Sequence, residues 1–228
     1  MKTTFLNKWV IFIPLLAAVL FSACKKDDKN DDSDRVIDKA FTMTSDTHPR
    51  INPITPKPLE GQPTMIAYAN AAGWGAGTAT DMGNIKNWFN QLVYSPTGEN
   101  PPTGSALAPI VEALNYPILG APLPLIQQND FDELREANTW LDIPVAVDGN
   151  IVNSVIYNGE GDAIFTSLTT DAKITPVSAT RVNFSAEGKF VGGRGKFANA
   201  TGTYTQTGFF NPGNFDEAGY NIEGKISY

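Results

Sequence analysis

Few residues of this chain could perform catalytic chemistry. His48 is the only histidine among 228 residues, and Cys24 is the only cysteine. A Ser-His-Asp triad or a histidine-based zinc site needs a positioned imidazole, whereas His48 stands in a Thr-, Pro- and Asn-rich stretch typical of a linker. The carboxylate pair Asp216 and Glu217 is typical of a solvated loop, and Asp162 of a turn cap. The sequence therefore predicts no cofactor and no metal site.

The chemistry predicted for Cys24 is lipid attachment. Lys2 and Lys8 precede an uncharged run over residues 9–21, which is shorter than the roughly 20 residues that a membrane-spanning helix needs. Leu20-Phe21-Ser22-Ala23-Cys24 resembles a lipobox, the lipidation site of bacterial lipoproteins, with phenylalanine where leucine is usual. The alternative is an ordinary cleaved signal peptide with a chance cysteine. An unpaired cysteine is unusual in a secreted protein. Lipid attachment would account for it, so lipidation is the favoured interpretation.

The segment after the cysteine predicts a tether. Residues 24–35 carry lysines and then a cluster of aspartates, without the apolar residues that a core needs. Lys25-Lys26 followed by this acidic cluster resembles the signal that sends lipoproteins of Bacteroidetes-type bacteria to the outside of the outer membrane. We therefore expect a signal peptide over 1–23, a lipid anchor in the outer membrane, and one domain over 36–228 facing the cell exterior.

Charge argues against one class of partner. The formal net charge is −7, and cleavage of the predicted leader would remove Lys2 and Lys8 and make the chain more acidic. Binding to nucleic acid depends on clustered Lys and Arg that neutralise phosphates. We therefore expect a membrane as the partner of the N-terminus and no nucleic acid; the sequence does not indicate an oligomeric state.

Alternating apolar and polar residues predict strands in the C-terminal third. Tyr220, Ile222, Gly224, Ile226 and Tyr228 share one face, and the residues between them are polar. The same period of two occurs around Val182–Ala186 and over Thr201–Gly208. Turn signals at Gly192-Gly193 and Asn211–Asn214 separate these runs, which suggests a sandwich or a closed barrel.

Residues 95–146 differ in kind because they are rich in proline, which lacks the donor that a β-ladder needs. We predict a partly helical insertion. One helix is expected over Ser105–Leu114, and a second is expected after a capping box formed by Asp130 and Glu133.

Glycine-rich motifs carry a family resemblance. Phe190–Tyr204 resembles the GGTGRFxxATG signature of bacterial proteins related to the allene oxide cyclase and dirigent barrels. Gly75–Gly83 resembles an earlier GxGTATHLG element, with Asp81 where histidine is common; Gly159–Phe165 and Ile222–Tyr228 resemble two further elements in the expected order. A dinucleotide site is excluded because no helix follows the glycines.

The resemblance implies a mainly β fold, namely an eight-stranded antiparallel allene oxide cyclase/dirigent-like barrel carrying the insertion. Glycines in this motif permit tight backbone geometry, so we assign the motif a structural role. Its residues are Gly192, Gly193, Gly195, Phe197 and Gly202. The candidate lumen residues are Val182, Phe184, Tyr204 and Tyr220.

Three functions fit this reading. The first is a non-enzymatic surface lipoprotein that binds a small apolar ligand, a glycan or another envelope protein. The second is an isomerase or cyclase acting on an apolar substrate in the lumen, as in plant cyclases of the superfamily. The third is a glycan-binding accessory protein, which a row of exposed Trp or Tyr on the insertion would indicate. An open apolar lumen favours ligand chemistry, and a plugged lumen favours a structural module.

Overall fold

The computed structural model describes residues 39–114 and 125–228, with the side chains of 125–131 excepted. The predicted leader, Cys24 and the tether lie outside these residues. The elements, in chain order, are β1 (Lys39–Leu59), β2 (Gln62–Ala79), β3 (Gly83–Ser95), β4 (Gly104–Leu107), α1 (Ile110–Ala113), α2 (Leu125–Leu141), β5 (Ala146–Val147), β6 (Asn150–Ile151), β7 (Ser154–Tyr157), β8 (Ala163–Leu168), β9 (Ala172–Ser178), β10 (Arg181–Arg194), β11 (Thr201–Asn211) and β12 (Asn214–Ser227).

The fold is mainly β, a closed eight-stranded antiparallel barrel, as the sequence predicted. The ring runs β1-β2-β3-β7-β8-β10-β11-β12 and closes through the pairing of β12 with β1. Toward one end of the barrel, β4 and β9 take the place of β7 and β8 between β3 and β10. Closure leaves the ring without a free edge, so its backbone groups pair within the barrel.

Apolar and polar residues alternate along these strands because successive side chains point into the barrel and away from it. On β12, Tyr220, Ile222 and Ile226 are buried, whereas Asn221 and Glu223 face solvent. Large inward side chains tend to lie opposite glycine on the neighbouring strand. These pairs are Phe41–Gly224, Phe89–Gly73, Phe184–Gly208, Phe190–Gly202 and Tyr204–Gly188. The glycines leave room for the rings, which explains why these strands are glycine-rich.

Aromatic and aliphatic side chains fill one end of the barrel. Phe41, Met43, Ile156, Ile164 and Phe197 are fully buried there and belong to one apolar cluster that also includes Phe190, Tyr204 and Ile226. The Phe41 and Phe190 rings meet edge to face, 5.0 Å apart. We call this half the closed end.

The glycine motif stabilises the closed end. The predicted turn at Gly192-Gly193 is wrong, because both residues lie inside β10 and the chain turns after Arg194. A Cβ on Gly193 would collide with the Ala163 carbonyl, and Gly195 has a φ of +60°. Phe197 follows in a short 3₁₀ turn and is fully buried, which brings its ring into the closed end. Gly202 also has positive φ, at +139°, opposite Ile226.

The helical part of the Pro-rich stretch packs on the outer wall. Ile110, Leu134 and Leu141 are fully buried and join one cluster with Trp88 and Phe165 on the outward face of β3 and β8. This cover explains why both faces of β7 and β8 are buried. A strand whose two faces are covered has no polar alternation.

The helices of this stretch differ from their predictions. Residues 105–107 lie in β4, where they pair with β3, and only Ile110–Ala113 are helical. The second helix begins at Leu125, so Asp130 is an interior residue of α2 and not its cap. Strand β4 tolerates the surrounding prolines because none of them falls within its four residues.

Candidate ligand-binding cavity

The other end of the barrel holds an open apolar cavity of about 580 Å³. We call it the open-end cavity. Ile51, Pro101 and Pro212 are solvent-exposed and also line it, which shows that the cavity reaches the surface. Its volume lies within the range of pockets that hold drug-sized molecules. Most of its lining is apolar, and the lining residues include Ile51, Val93, Phe89, Ile174, Val182, Phe184, Phe210, Phe215 and Ala218.

Partly exposed phenylalanine rings form the walls. Phe89 lies over Gly73, and Phe184 lies over Gly208. At the rim, Phe210 and Phe215 flank the turn between β11 and β12 and stack with centroids 6.0 Å apart. Partly exposed aromatic rings leave apolar surface in contact with water, which is unfavourable. An apolar ligand in the cavity would cover that surface.

A buried polar layer separates the cavity from the closed end. Ser45 Oγ donates a hydrogen bond to Asn87 Oδ1 over 2.6 Å, and Asn87 Nδ2 donates to the Tyr220 hydroxyl over 2.9 Å. Asn87 has no exposed surface, and Tyr220 retains 5%. Burial, with a smaller effect of nearby Tyr204, raises the pKa of Tyr220 far above its usual value. Tyr220 therefore stays protonated and forms a neutral floor.

The described residues of the lining carry polar groups but no charge. Thr47, Gln91, Ser105 and Gln206 contribute hydroxyl and carboxamide groups. Ser105 Oγ donates to Gln91 Oε1, which holds that carboxamide in place. Among the described residues, the lining includes no Asp, Glu, Lys, Arg or His. The cavity therefore offers hydrogen bonds without an ionised group to bind a counter-charge or transfer a proton.

The four predicted lumen residues divide between the two halves. Val182, Phe184 and Tyr220 line the open-end cavity. Tyr204 lies in the closed-end cluster, packed over Gly188, and burial raises its pKa to about 12. The lumen is thus filled at one end and open at the other.

Several lining residues went unpredicted. Phe89 and Gln91 come from β3, Phe215 from the start of β12, and Pro101 from the loop after β3. Phe89 and Gln91 alternate with outward-facing Trp88 and Asn90, so local period-two alternation was an available signal for β3. No local signal identifies Pro101, because its position depends on closure of the barrel.

The remaining titratable candidates lie outside the lumen. The linker predicted around His48 is wrong, because His48 stands in β1. On the outer wall, Asp216 Oδ1 lies 3.1 Å from His48 Nδ1 and 2.9 Å from an Arg50 guanidinium nitrogen, and Arg50 lies over the Trp74 ring. The Arg50 and His48 contacts lower the pKa of Asp216. Asp216 is thus part of β12 and paired, contrary to the predicted loop.

Two further carboxylates lie at turns of the closed end. Asp162 Oδ1 accepts a hydrogen bond from the Lys196 backbone N–H over 3.0 Å, which agrees with its interpretation as a turn cap. Asp81 has a φ of 59°, forms an ion pair with Lys39 and accepts a hydrogen bond from the Tyr228 hydroxyl over 2.8 Å. Both carboxylates stabilise turns of the fold, and neither lines the open-end cavity.

The described residues contain no group of three or more His, Cys, Asp or Glu side chains placed to hold a metal ion. Over residues 39–114 and 125–228, neither helix is long and apolar enough to cross a membrane. No protein-family model, curated protein or solved structure matches the chain. The assignment of function accordingly rests on the open-end cavity.

Proposed function

We propose that this protein binds a small apolar molecule in the open-end cavity. The observation that carries the proposal is the lining, in which partly exposed phenylalanine, proline and aliphatic side chains surround about 580 Å³ of space. Covering apolar surface contributes roughly 25 cal/mol per Å² in the favourable direction. A ligand would therefore gain its affinity mainly from desolvating these rings.

The cavity favours binding over the other readings. A structural plug would fill the lumen at both ends, whereas packing here is confined to the closed end. A glycan site would present several exposed aromatic rings, but Trp140 is the one exposed Trp or Tyr among the described side chains of the insertion.

An isomerase or cyclase is the second candidate, and the Tyr220 floor favours it. Asn87 fixes the position of the Tyr220 hydroxyl, which could then polarise an acceptor on a bound substrate. Tyr220→Phe separates the two functions. Catalysis through the hydroxyl requires turnover to fall by tenfold or more in this variant, while a binding protein retains its ligand.

We further propose where in the cell the domain is located and to which family of barrels it is related. Lipid on Cys24 would hold the barrel at the outer membrane, and the antiparallel eight-stranded closure supports kinship with the allene oxide cyclase and dirigent barrels. Cys24→Ala tests the anchor by membrane fractionation and mass spectrometry. Loss of the lipid-modified form and release from membranes are expected; unchanged fractionation would contradict the anchor.

Native mass spectrometry of the protein purified from its own host tests the binding proposal. A co-purifying small molecule is expected. Ala71 lines the cavity on β2, and Ala76 lies on the exposed face of the same strand. Ala71→Phe narrows the cavity and should lower the occupied fraction several-fold, whereas Ala76→Phe should leave it unchanged. A bare wild-type mass, or equal occupancy in both variants, would overturn the proposal.

A further inference from the structure

Gln206 presents a polar carboxamide to the open-end cavity. It lies on the inward face of β11, opposite Ala186 on β10 and Ile222 on β12. Within the part of the chain that the structure describes, its carboxamide has no hydrogen bond to protein. Gln91, the other lining glutamine, differs because Ser105 donates to it. A polar group among apolar neighbours favours a solvent or ligand partner.

The uncharged lining restricts what that partner can be. An ionised carboxylate or ammonium loses its hydration on entering an apolar space, and that loss is large unless an opposite charge compensates it. The described lining supplies no such charge. The Tyr220 hydroxyl and the Gln206 carboxamide supply neutral hydrogen bonds instead, at the floor and on the wall.

We propose that Gln206 is the specificity-determining residue of the cavity and that it selects uncharged ligands carrying a hydrogen-bonding group, such as an amide, ketone or alcohol on an apolar body. This inference rests on the proposed binding function. A carboxamide both donates and accepts, so it recognises each of these groups. Acidic and basic ligands are rejected because the lining leaves their charge without a partner.

Three naphthalene probes of matched shape test the proposal by isothermal titration calorimetry. They are 2-naphthamide, which is polar and neutral, 2-naphthoate, which is ionised at pH 7, and 2-methylnaphthalene, which has no polar group. The protein is the full chain carrying Cys24→Ala, so that no attached lipid competes. Wild-type Gln206 is compared with Gln206→Met, which keeps the length of the side chain, and with Gln62→Met, a control at the exposed start of β2.

The neutral amide should bind at least tenfold more tightly than the carboxylate. Gln206→Met should weaken 2-naphthamide about three- to tenfold, the range expected for one hydrogen bond, and leave 2-methylnaphthalene unchanged. Equal affinity for amide and carboxylate, or an equal effect of Gln206→Met on both neutral probes, would overturn the assignment of Gln206 while leaving the binding function standing. Failure of the wild type to bind any probe would overturn both.

Discussion

Tyr220→Phe tests whether the polar layer beneath the open-end cavity stabilises the barrel. The substitution removes one oxygen and preserves the ring, which meets Phe89 edge to face with centroids 6.4 Å apart. It leaves Asn87 Nδ2 without the acceptor that now lies 2.9 Å away. Asn87 has no exposed surface, and Ser45 already occupies its Oδ1. Water therefore has little access to the orphaned N–H.

The expected cost follows from that geometry. A buried donor left without an acceptor costs roughly 1–3 kcal/mol, more than the net value of an average hydrogen bond. For a domain of this size, 1 kcal/mol shifts the melting temperature by about 2–4 °C. Tyr220→Phe should therefore lower the free energy of unfolding by about 1–3 kcal/mol and the melting temperature by about 2–12 °C.

Urea unfolding followed by circular dichroism measures this loss, with Tyr228→Phe as the matched control. The Tyr228 hydroxyl also makes a hydrogen bond, to Asp81, but at a site open to solvent. An exposed contact of this kind contributes about 1 kcal/mol or less. A loss for Tyr220→Phe no greater than that for Tyr228→Phe would contradict a stabilising role for the buried Asn87–Tyr220 hydrogen bond.

Three further predictions concern the closed end and the insertion. The contacts of Asp81 with Lys39 and the Tyr228 hydroxyl hold its pKa below the ordinary value of an aspartate, so their contribution to stability is present above that ordinary pKa and is lost as pH falls through the lowered pKa. Asp81→Asn should therefore reduce the acid-induced loss of stability in urea unfolding below about pH 4; an unchanged pH profile would contradict this. Phe197→Ala should lower the free energy of unfolding by about 3–5 kcal/mol in the same assay, because Phe197 is fully buried. Phe215 is partly exposed, so Phe215→Ala should lower it far less. Equal losses in the two variants would contradict the assigned packing. Arg194 donates hydrogen bonds to the Leu141 and Asp142 carbonyls at the end of α2. Arg194→Ala should therefore speed amide hydrogen exchange in α2 and leave exchange in the barrel strands unchanged. Unchanged exchange in α2 would contradict a stabilising role of Arg194 at the end of this helix.

Sequence patterns predicted the strands whose outer faces meet water. Strands β11 and β12 alternate cleanly because one face packs and the other is solvated, so the period of two is visible in Thr201–Gly208 and Tyr220–Tyr228. Strands β7 and β8 have no such period because the insertion covers their outward faces. The residues around His48 looked like a linker because prolines interrupt β1, which nonetheless pairs with β2 through them.

The cavity was only partly predictable for a related reason. Val182, Phe184 and Tyr220 belong to alternating strands, so their inward direction followed from local pattern. Whether the lumen is filled depends on strand register around the whole barrel, which brings Phe89 and Phe215 together from distant parts of the chain. Register between such segments is a tertiary property, since each strand alone fits several pairings.

Intermolecular nuclear Overhauser effects between 2-methylnaphthalene and protein methyl groups would show directly whether a ligand occupies the open-end cavity. The full chain carrying Cys24→Ala and isotope-labelled at Ile and Val serves for the measurement. Contacts are expected with Val93, Val182 and Ile174, which line the open-end cavity, and none with Ile156 or Ile164 beneath the Tyr220 floor. Contacts confined to the closed end or to exposed Val177 on the surface, or no contacts at all, would contradict a ligand-binding lumen.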